Sequence, residues 1–318
     1  MFTASPSVID PFVHTYSIVA RDPNTGQMGV AVQSHYFSVG STVPWAEAGV
    51  GAVATQAFAN RDYGPQGLAL MRQGRNAAQA LEILLQQDEE HETRQVALVD
   101  AQGHVAVHTG SRCIASAGHA RGDHFSVQAN MMVDDSVWPA MKRAYEEAGG
   151  DLADRLIATL EAAQEAGGDI RGQQAAAILI VSGQRQQQWW PGRLFDLRVE
   201  DHPHPVEELK RLVSIRKAWL LFDRSNELAL AQRYDEAVNL LRKAIELEPD
   251  IAELKFRGSA ILFTAGEAPE ALVLLRDAFA REPQWAELIP RLAAVGLMPD
   301  DPGLLKYIMD QRSPGGDP

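Results

Sequence analysis

H-T-Y-S-I-V-A-R-D (residues 14–22) and G-V-A-V-Q-S-H (residues 29–35) flank the turn Asp22-Pro23-Asn24-Thr25-Gly26. Both runs are rich in β-formers, and the residues between them suit the bend of a hairpin, which predicts strands over residues 16–20 and 28–32. Thr15 opens the first strand, and fourteen residues precede it. If those residues are removed, Thr15 carries a free α-amino group beside its hydroxyl. A threonine placed so needs no separate histidine base, because its own amine takes the hydroxyl proton.

The chain has 318 residues, 46% hydrophobic and 22% charged, a composition that supplies material for cores and a length that suits two domains. A formal net charge of −13 argues against nucleic acid or an anionic membrane as partner. The single cysteine, Cys113, cannot close an internal disulfide, so a reducing, cytoplasmic setting is expected. No run approaches the ~18–20 apolar residues of a membrane span. Residues 1–14 lack a basic leader and carry Pro6 and Pro11, so they read as a tail or a short propeptide rather than a secretory signal.

From residue 15 to about 200, strand-like runs at 51–57, 95–100, 104–109, 125–130, 175–182 and 194–200 come in adjacent pairs. Amphipathic helices fit 65–73, 76–87, 137–148 and 152–166, with Asn76 and Asp151 as N-caps. Paired strands and paired helices predict an α+β architecture of antiparallel sheets layered with helices. Beyond His202-Pro203-His204-Pro205 the strand signal stops. Y-D-E-A-V-N-L-L-R-K-A-I-E-L-E-P (234–249) aligns without a gap on A-P-E-A-L-V-L-L-R-D-A-F-A-R-E-P (268–283), 34 residues later. Small residues at the packing positions and a closing proline resemble tetratricopeptide repeats. Helices at 219–232 and 252–265 complete the units and one at 287–295 caps them. The division expected is 1–14, 15–212 and 213–318. The repeats either stabilise the first half, bind a protein partner or support self-association.

Nine histidines raise the question of a metal. His202 and His204 sit in the proline-rich linker, and His104 and His108 share one face of a strand, but neither pair has the spacing of a zinc motif. No metal and no cofactor is expected. Nucleophile-elbow, phosphate-loop and dinucleotide fingerprints are absent too. What remains is a set of polar residues at strand ends: Ser34-His35, T-Q-A-F-A-N (55–60), V-Q-A-N (127–130) and G-G-D-I-R-G-Q-Q (167–174). Amides so placed can donate to a developing oxyanion or orient an amide substrate. Asp169 and Arg171 can fix a carboxylate or each other.

Several blocks together resemble the bacterial and archaeal domain-of-unknown-function 1028 family. They are T-Y-S-I-V-A-R-D-P-N-T-G (15–26), V-P-W-A-E-A-G-V-G-A-V-A-T-Q (43–56), Y-G-P-Q-G-L (63–68), A-G-H (117–119), V-Q-A-N, G-G-D-I-R-G-Q and D-L-R-V-E-D-H-P-H-P (196–205). The resemblance runs over residues 15–212. It implies an N-terminal-nucleophile hydrolase fold, a four-layer α-β-β-α sandwich of two antiparallel sheets. It implies Thr15 as the nucleophile, Ser34 and His35 as groups that tune it, and Asn130 as an oxyanion donor. Gln56, Asn60 and Gln128 become pocket residues, and Asp169, Arg171 and Gln173 a substrate-binding block. This chain differs in carrying Gln174 where relatives often have serine, in its fourteen leading residues, and in its helical repeats.

Two classes of function remain open at this level. One is an amidohydrolase acting on a small amide, N-acyl or ureido compound through Thr15. The other is an uncleaved small-molecule binding module joined to an interaction platform; a further reading keeps enzymatic activity on the same fold but places it on pocket residues other than Thr15.

Overall fold

The computed structural model describes residues 12–13, 15–188, 191–298 and 301–310. Of the tail or propeptide expected over 1–14, all but Phe12 and Val13 lies outside the described residues. Contacts along the chain divide it into two units, Met1–Val213 and Ser214–Pro318.

In the first unit β1 (Phe12–Val13) leads to the hairpin of β2 (Thr15–Arg21) and β3 (Met28–Ser34). Its turn is fixed by Asp22, whose carboxylate accepts the N–H groups of Asn24 at 2.7 Å and Thr25 at 2.9 Å. Gly26 then takes φ +72°, a left-handed conformation that glycine adopts without Cβ strain. The register that follows pairs Thr15 with Ser34 and Arg21 with Met28.

Next come β4 (Pro44–Glu47), β5 (Gly51–Phe58), α1 (Tyr63–Arg72), α2 (Ala77–Gln87), β6 (Arg94–Asp100) and β7 (Val105–Thr109). They are followed by β8 (Gly118–Gly122), β9 (Phe125–Ala129), α3 (Val137–Glu147), α4 (Leu152–Glu165), β10 (Ala175–Val181) and β11 (Arg193–Val199). Two antiparallel sheets result. In one, β1 and β4 line the same side of β5, which is followed by β6 and β7; the other has the order β11-β10-β3-β2-β9-β8. Asn76 and Asp151 cap α2 and α4 as predicted, each in a reciprocal capping box.

Side chains alternate across each strand, so each sheet has two faces. The inner faces meet through Val19, Val30 and Val32 of one sheet and Ala52, Ala54, Ala97 and Val99 of the other. The alanines allow close approach of the backbones. Outside, Leu68, Met71, Leu81 and Leu84 of α1 and α2 pack on Val53, Val96 and Leu98. On the second sheet Phe125 meets Tyr145 of α3 with ring centroids 4.3 Å apart, and Leu156 of α4 reaches Gly29. This is the mixed α+β arrangement with antiparallel sheets that the pairing of runs predicts. β1, β4 and β8 carry no run that marked them in the sequence.

In the second unit α5 (Pro205–Leu230), which contains the boundary between units, precedes α6 (Tyr234–Leu247), α7 (Ala252–Thr264) and α8 (Ala268–Arg281). α9 (Ile289–Ala293) and α10 (Pro302–Asp310) follow. Ala237, Ala244, Ala271 and Ala278, the small residues of the 34-residue offset, are all buried. The helix expected at 287–295 is shorter: a 3-10 turn over Pro283–Leu288 precedes α9. Pro290 explains this, since it has no N–H and is tolerated only in the first turn of a helix. No helix among the described residues is long and apolar enough to cross a membrane.

Candidate active site

The layer between the sheets changes character along the strands. Positions that carry Val19, Val30 and Ala97 near its middle carry Thr15, Ser17, Ser34, Gln56, Gln95, Gln128 and Asn130 toward one end, and Ser126, level with Val19, extends this polar set inward; all are fully buried. A buried polar group costs free energy unless it is hydrogen-bonded. Here the groups satisfy one another. Gln56 Nε2 donates to Thr15 O at 3.1 Å and to Gln95 Oε1 at 2.7 Å. Asn130 donates to Thr15 O from its backbone N–H at 3.1 Å and from Nδ2 at 3.4 Å. Asn130 Nδ2 also reaches Gln95 Oε1 at 2.9 Å. The Ser17 hydroxyl donates to Gln56 Oε1 at 2.5 Å and accepts from Gln128 Nε2 at 2.6 Å. Ser126 in turn donates to Gln128 Oε1.

Backbone carbonyls accept only, so they fix the direction of the Gln56, Gln95 and Asn130 amides. Gln95 Nε2 faces Ala129 O at 2.9 Å and Gly118 O at 3.2 Å, which leaves its oxygen for the amides of Gln56 and Asn130. Gln95 Nε2 also donates to Thr109 Oγ1 at 3.0 Å, and that hydroxyl lies 2.9 Å from Nδ1 of His119, whose ring is sheltered on one side and open to solvent on the other. Burial of the ring, with Arg121 and His108 adding to it, lowers the His119 pKa and favours neutral imidazole. Ala57 and Met131, the residues after Gln56 and Asn130, have φ +68° and +59°. A non-glycine residue there is strained by ~1–2 kcal/mol, and such strain gathers at functional sites.

The expected residues do not all converge. Thr15, Asn130, Gln56, Gln128 and Ser34 belong to the polar end, Ser34 through its register with both Thr15 and Ala175. Asp169, Arg171 and His35 form a second group. The buried Asp169 carboxylate accepts from Arg171 Nε at 3.0 Å and Nη2 at 2.7 Å, and from the backbone N–H of His35 at 3.2 Å. A bridge between Met132 and Asp169 brings this group beside the exit of β9. It faces the helix side of the sheet, where Asp169 and burial together raise the pKa of Tyr16, burial contributing more. Tyr16 OH donates to Gln164 Oε1. Gln173 follows this group in the chain, and Gln174 bonds Asp201 at 3.1 Å. Asn60 stands apart: its carbonyl accepts from Thr55, on the outer face of β5, and its side chain caps the turn into α1.

Sequence reasoning missed Ser17, Gln95, Ser126, Thr109 and His119. Their signal was positional, since Gln95 shares its strand face with Ala97 and Val99. Among the described residues no group of three or more His, Cys, Asp or Glu is placed to hold a metal. His104 pairs with Asp100 and His108 with the carbonyl of His91. Burial pushes the Cys113 thiol up to about 11, which makes it a poor nucleophile.

The family model described as a family of unknown function, DUF1028, matches residues 15–209. The chain belongs to the DUF1028 family. A crystal structure of the DUF1028 protein SPO2555 from Silicibacter pomeroyi is similar at 30% identity and TM-score 0.57, covering 63% of this chain and 88% of that one. No curated protein gives a significant match. The matched DUF1028 segment starts at Thr15 and contains all of the polar cluster, while the 34-residue repeat lies outside it.

Proposed function

We propose that the DUF1028 domain is an amidohydrolase of the N-terminal-nucleophile type, a four-layer α-β-β-α sandwich in which Thr15 attacks a small amide, N-acyl or ureido substrate. The observation that carries this reading is the position of Thr15. It is the first residue of a central strand, its own carbonyl is held by Gln56 and Asn130, and it sits in a buried polar cluster between two sheets. In the uncleaved chain its nitrogen is an amide and its side chain is buried, so the reading requires cleavage between His14 and Thr15.

Once the amine is free, it accepts the proton as Thr15 Oγ bonds to the substrate carbonyl carbon. The tetrahedral oxyanion is held by Asn130 Nδ2 or by backbone donors, and the leaving nitrogen departs with the proton. Water then attacks the acyl ester and releases the acid and the Thr15 hydroxyl. Asn130 is already anchored by Gln95, so it reorients little on giving up its long contact to Thr15 O.

Small buried residues at a 34-residue offset support tetratricopeptide-like repeats in the second unit, a platform for a protein partner or for self-association. The lone protonated thiol supports a reducing, cytoplasmic setting. The complete burial of Thr15 favours a second reading, an uncleaved binding module.

Intact mass and N-terminal sequencing of the untagged protein separate the two. The hydrolase reading expects a chain beginning at Thr15, and amide turnover that Thr15→Ala lowers about 10³-fold or more. A chain that keeps residues 1–14 and hydrolyses no amide assigns the binding module instead.

A further inference from the structure

A cleft of about 420 Å³ opens where β4 and α1 approach β10 and β11. Its walls are apolar at Trp45, Pro65, Leu68 and Val181, and three guanidiniums, of Arg72, Arg193 and Arg198, reach it. Along β10 the cleft runs from the level of Ala177, which pairs with Arg198, to Val181, two to six residues from Ala175, the residue in register with Ser34. Nothing in the hydrolase reading uses it. Three of the blocks that carry the family resemblance nevertheless meet here: V-P-W-A-E-A-G through Trp45, Y-G-P-Q-G-L through Pro65 and Leu68, and D-L-R-V-E-D through Arg198.

The charges do not cancel within the cleft. Glu47 pairs with Arg72. Asp196 is shared: Arg193 binds one oxygen, and Arg198 approaches the other with Nε at 3.4 Å. The terminal nitrogens of Arg198 make no hydrogen bond among the described residues. Among the described residues Arg198 thus meets one carboxylate, which it shares with Arg193, in a chain whose net charge is −13. The Arg198 stem is held in place, since its Cγ and Cδ lie over Gly40, where an added Cβ would come within 3.0 Å of each. The Trp45 indole is held as well, by its Nε1 bond to Thr42 O at 2.9 Å and by Gly64 against the ring. A fixed aromatic wall beside an under-neutralised guanidinium matches a ligand with an apolar body and one anionic group.

We propose that this cleft binds a small organic anion, a carboxylate or a phosphate monoester on a compact apolar or aromatic body, with Arg198 as the anion's partner and Trp45 as the wall for its body. The proposal does not depend on Thr15 being a nucleophile.

Calorimetric titration of the full-length protein with phenylacetate, phenyl phosphate and neutral benzyl alcohol tests it. Saturable binding of either anion, weaker binding of the alcohol, and a loss of about tenfold or more in Arg198→Gln are expected. The tighter of the two anions names the ligand class. Arg198 is on a partly exposed edge strand, so the variant should fold, and its thermal midpoint is measured alongside. A second variant, Arg198→Lys, keeps the charge without the fork and should bind with intermediate affinity. Absence of saturable anion binding, equal binding of the alcohol, or unchanged anion binding in a folded Arg198→Gln protein overturns the proposal.

Discussion

Gln33 and Gln95 are both fully buried amides, and their environments are opposite. Gln33 lies on the helix side of β3, between Tyr16 and Ala176 of the neighbouring strands, and neither atom of its amide has a hydrogen-bond partner among the described residues. Gln95 bonds through both. The desolvation cost of an unmade bond is ~1–3 kcal/mol, so a methionine of similar volume should act with opposite sign at the two sites. Gln33→Met is expected to raise unfolding free energy by about 1 kcal/mol. Gln95→Met should lower it by about 2–4 kcal/mol, because Gln56 and Asn130 each lose the acceptor at the Gln95 oxygen, and Thr109, Gly118 O and Ala129 O lose the donor at its amide. Urea titrations of both variants, with the slope held constant, check the pair. At this scale the sequence was partly legible. The turn at Asp22–Gly26 fixes the hairpin register, and with it the pairing of Thr15 with Ser34. The role of Gln95 was hidden, since its partners come from strands far along the chain and its own neighbours, Arg94 and Val96, give no hint.

The joint between α2 and β6 depends on one ion pair. Arg94 is buried at the start of β6, donates to Phe58 O at 2.7 Å, and meets Asp88, just past α2, at 2.8 Å. Burial pushes the Asp88 pKa up, but bonds from Arg94, from the Glu90 N–H and from Tyr63 OH outweigh it and leave the carboxyl below its usual range. A carboxyl whose folded pKa is depressed contributes stability above the unfolded value, near ~4, and loses it as pH falls through the folded value. Asp88→Asn should therefore cost about 2 kcal/mol at pH 7, less than for a fully buried pair because Asp88 is partly exposed. The gap between variant and wild type should close below pH ~4, as read from denaturant midpoints across pH. Elements with strong local signals, such as the capped α2 and α4 and the apolar run of β10, were readable from their own residues. β8, G-H-A-R-G, was not, because an edge strand of alternating exposure owes its existence to β9 beside it. The shortened α9 reflects one proline that the periodicity of its neighbours outweighed.

Each of the two units has buried apolar residues of its own. Val19, Ala54 and Val99 belong to a core of the first unit, while Leu241, Leu254 and Leu262 belong to a core of the second. Leu262→Ala should cost the helical unit about 2–5 kcal/mol, since a fully buried leucine leaves a cavity. Hydrogen exchange is expected to quicken in α6 and α7 and to stay unchanged in β5 and β6. In the sequence the strand signals end near residue 200. They could not announce what the chain does with β1, whose two residues pair with Ala57 and Phe58 in one sheet while β2, one residue later, enters the other. β1 and β2 thus tie the two sheets together, and cutting the chain before Thr15 would do two things at once. It would free an amine, and it would leave the edge of β5 at Ala57 and Phe58 without its strand partner, an open rail on which an extended amide can lie beside the new terminus.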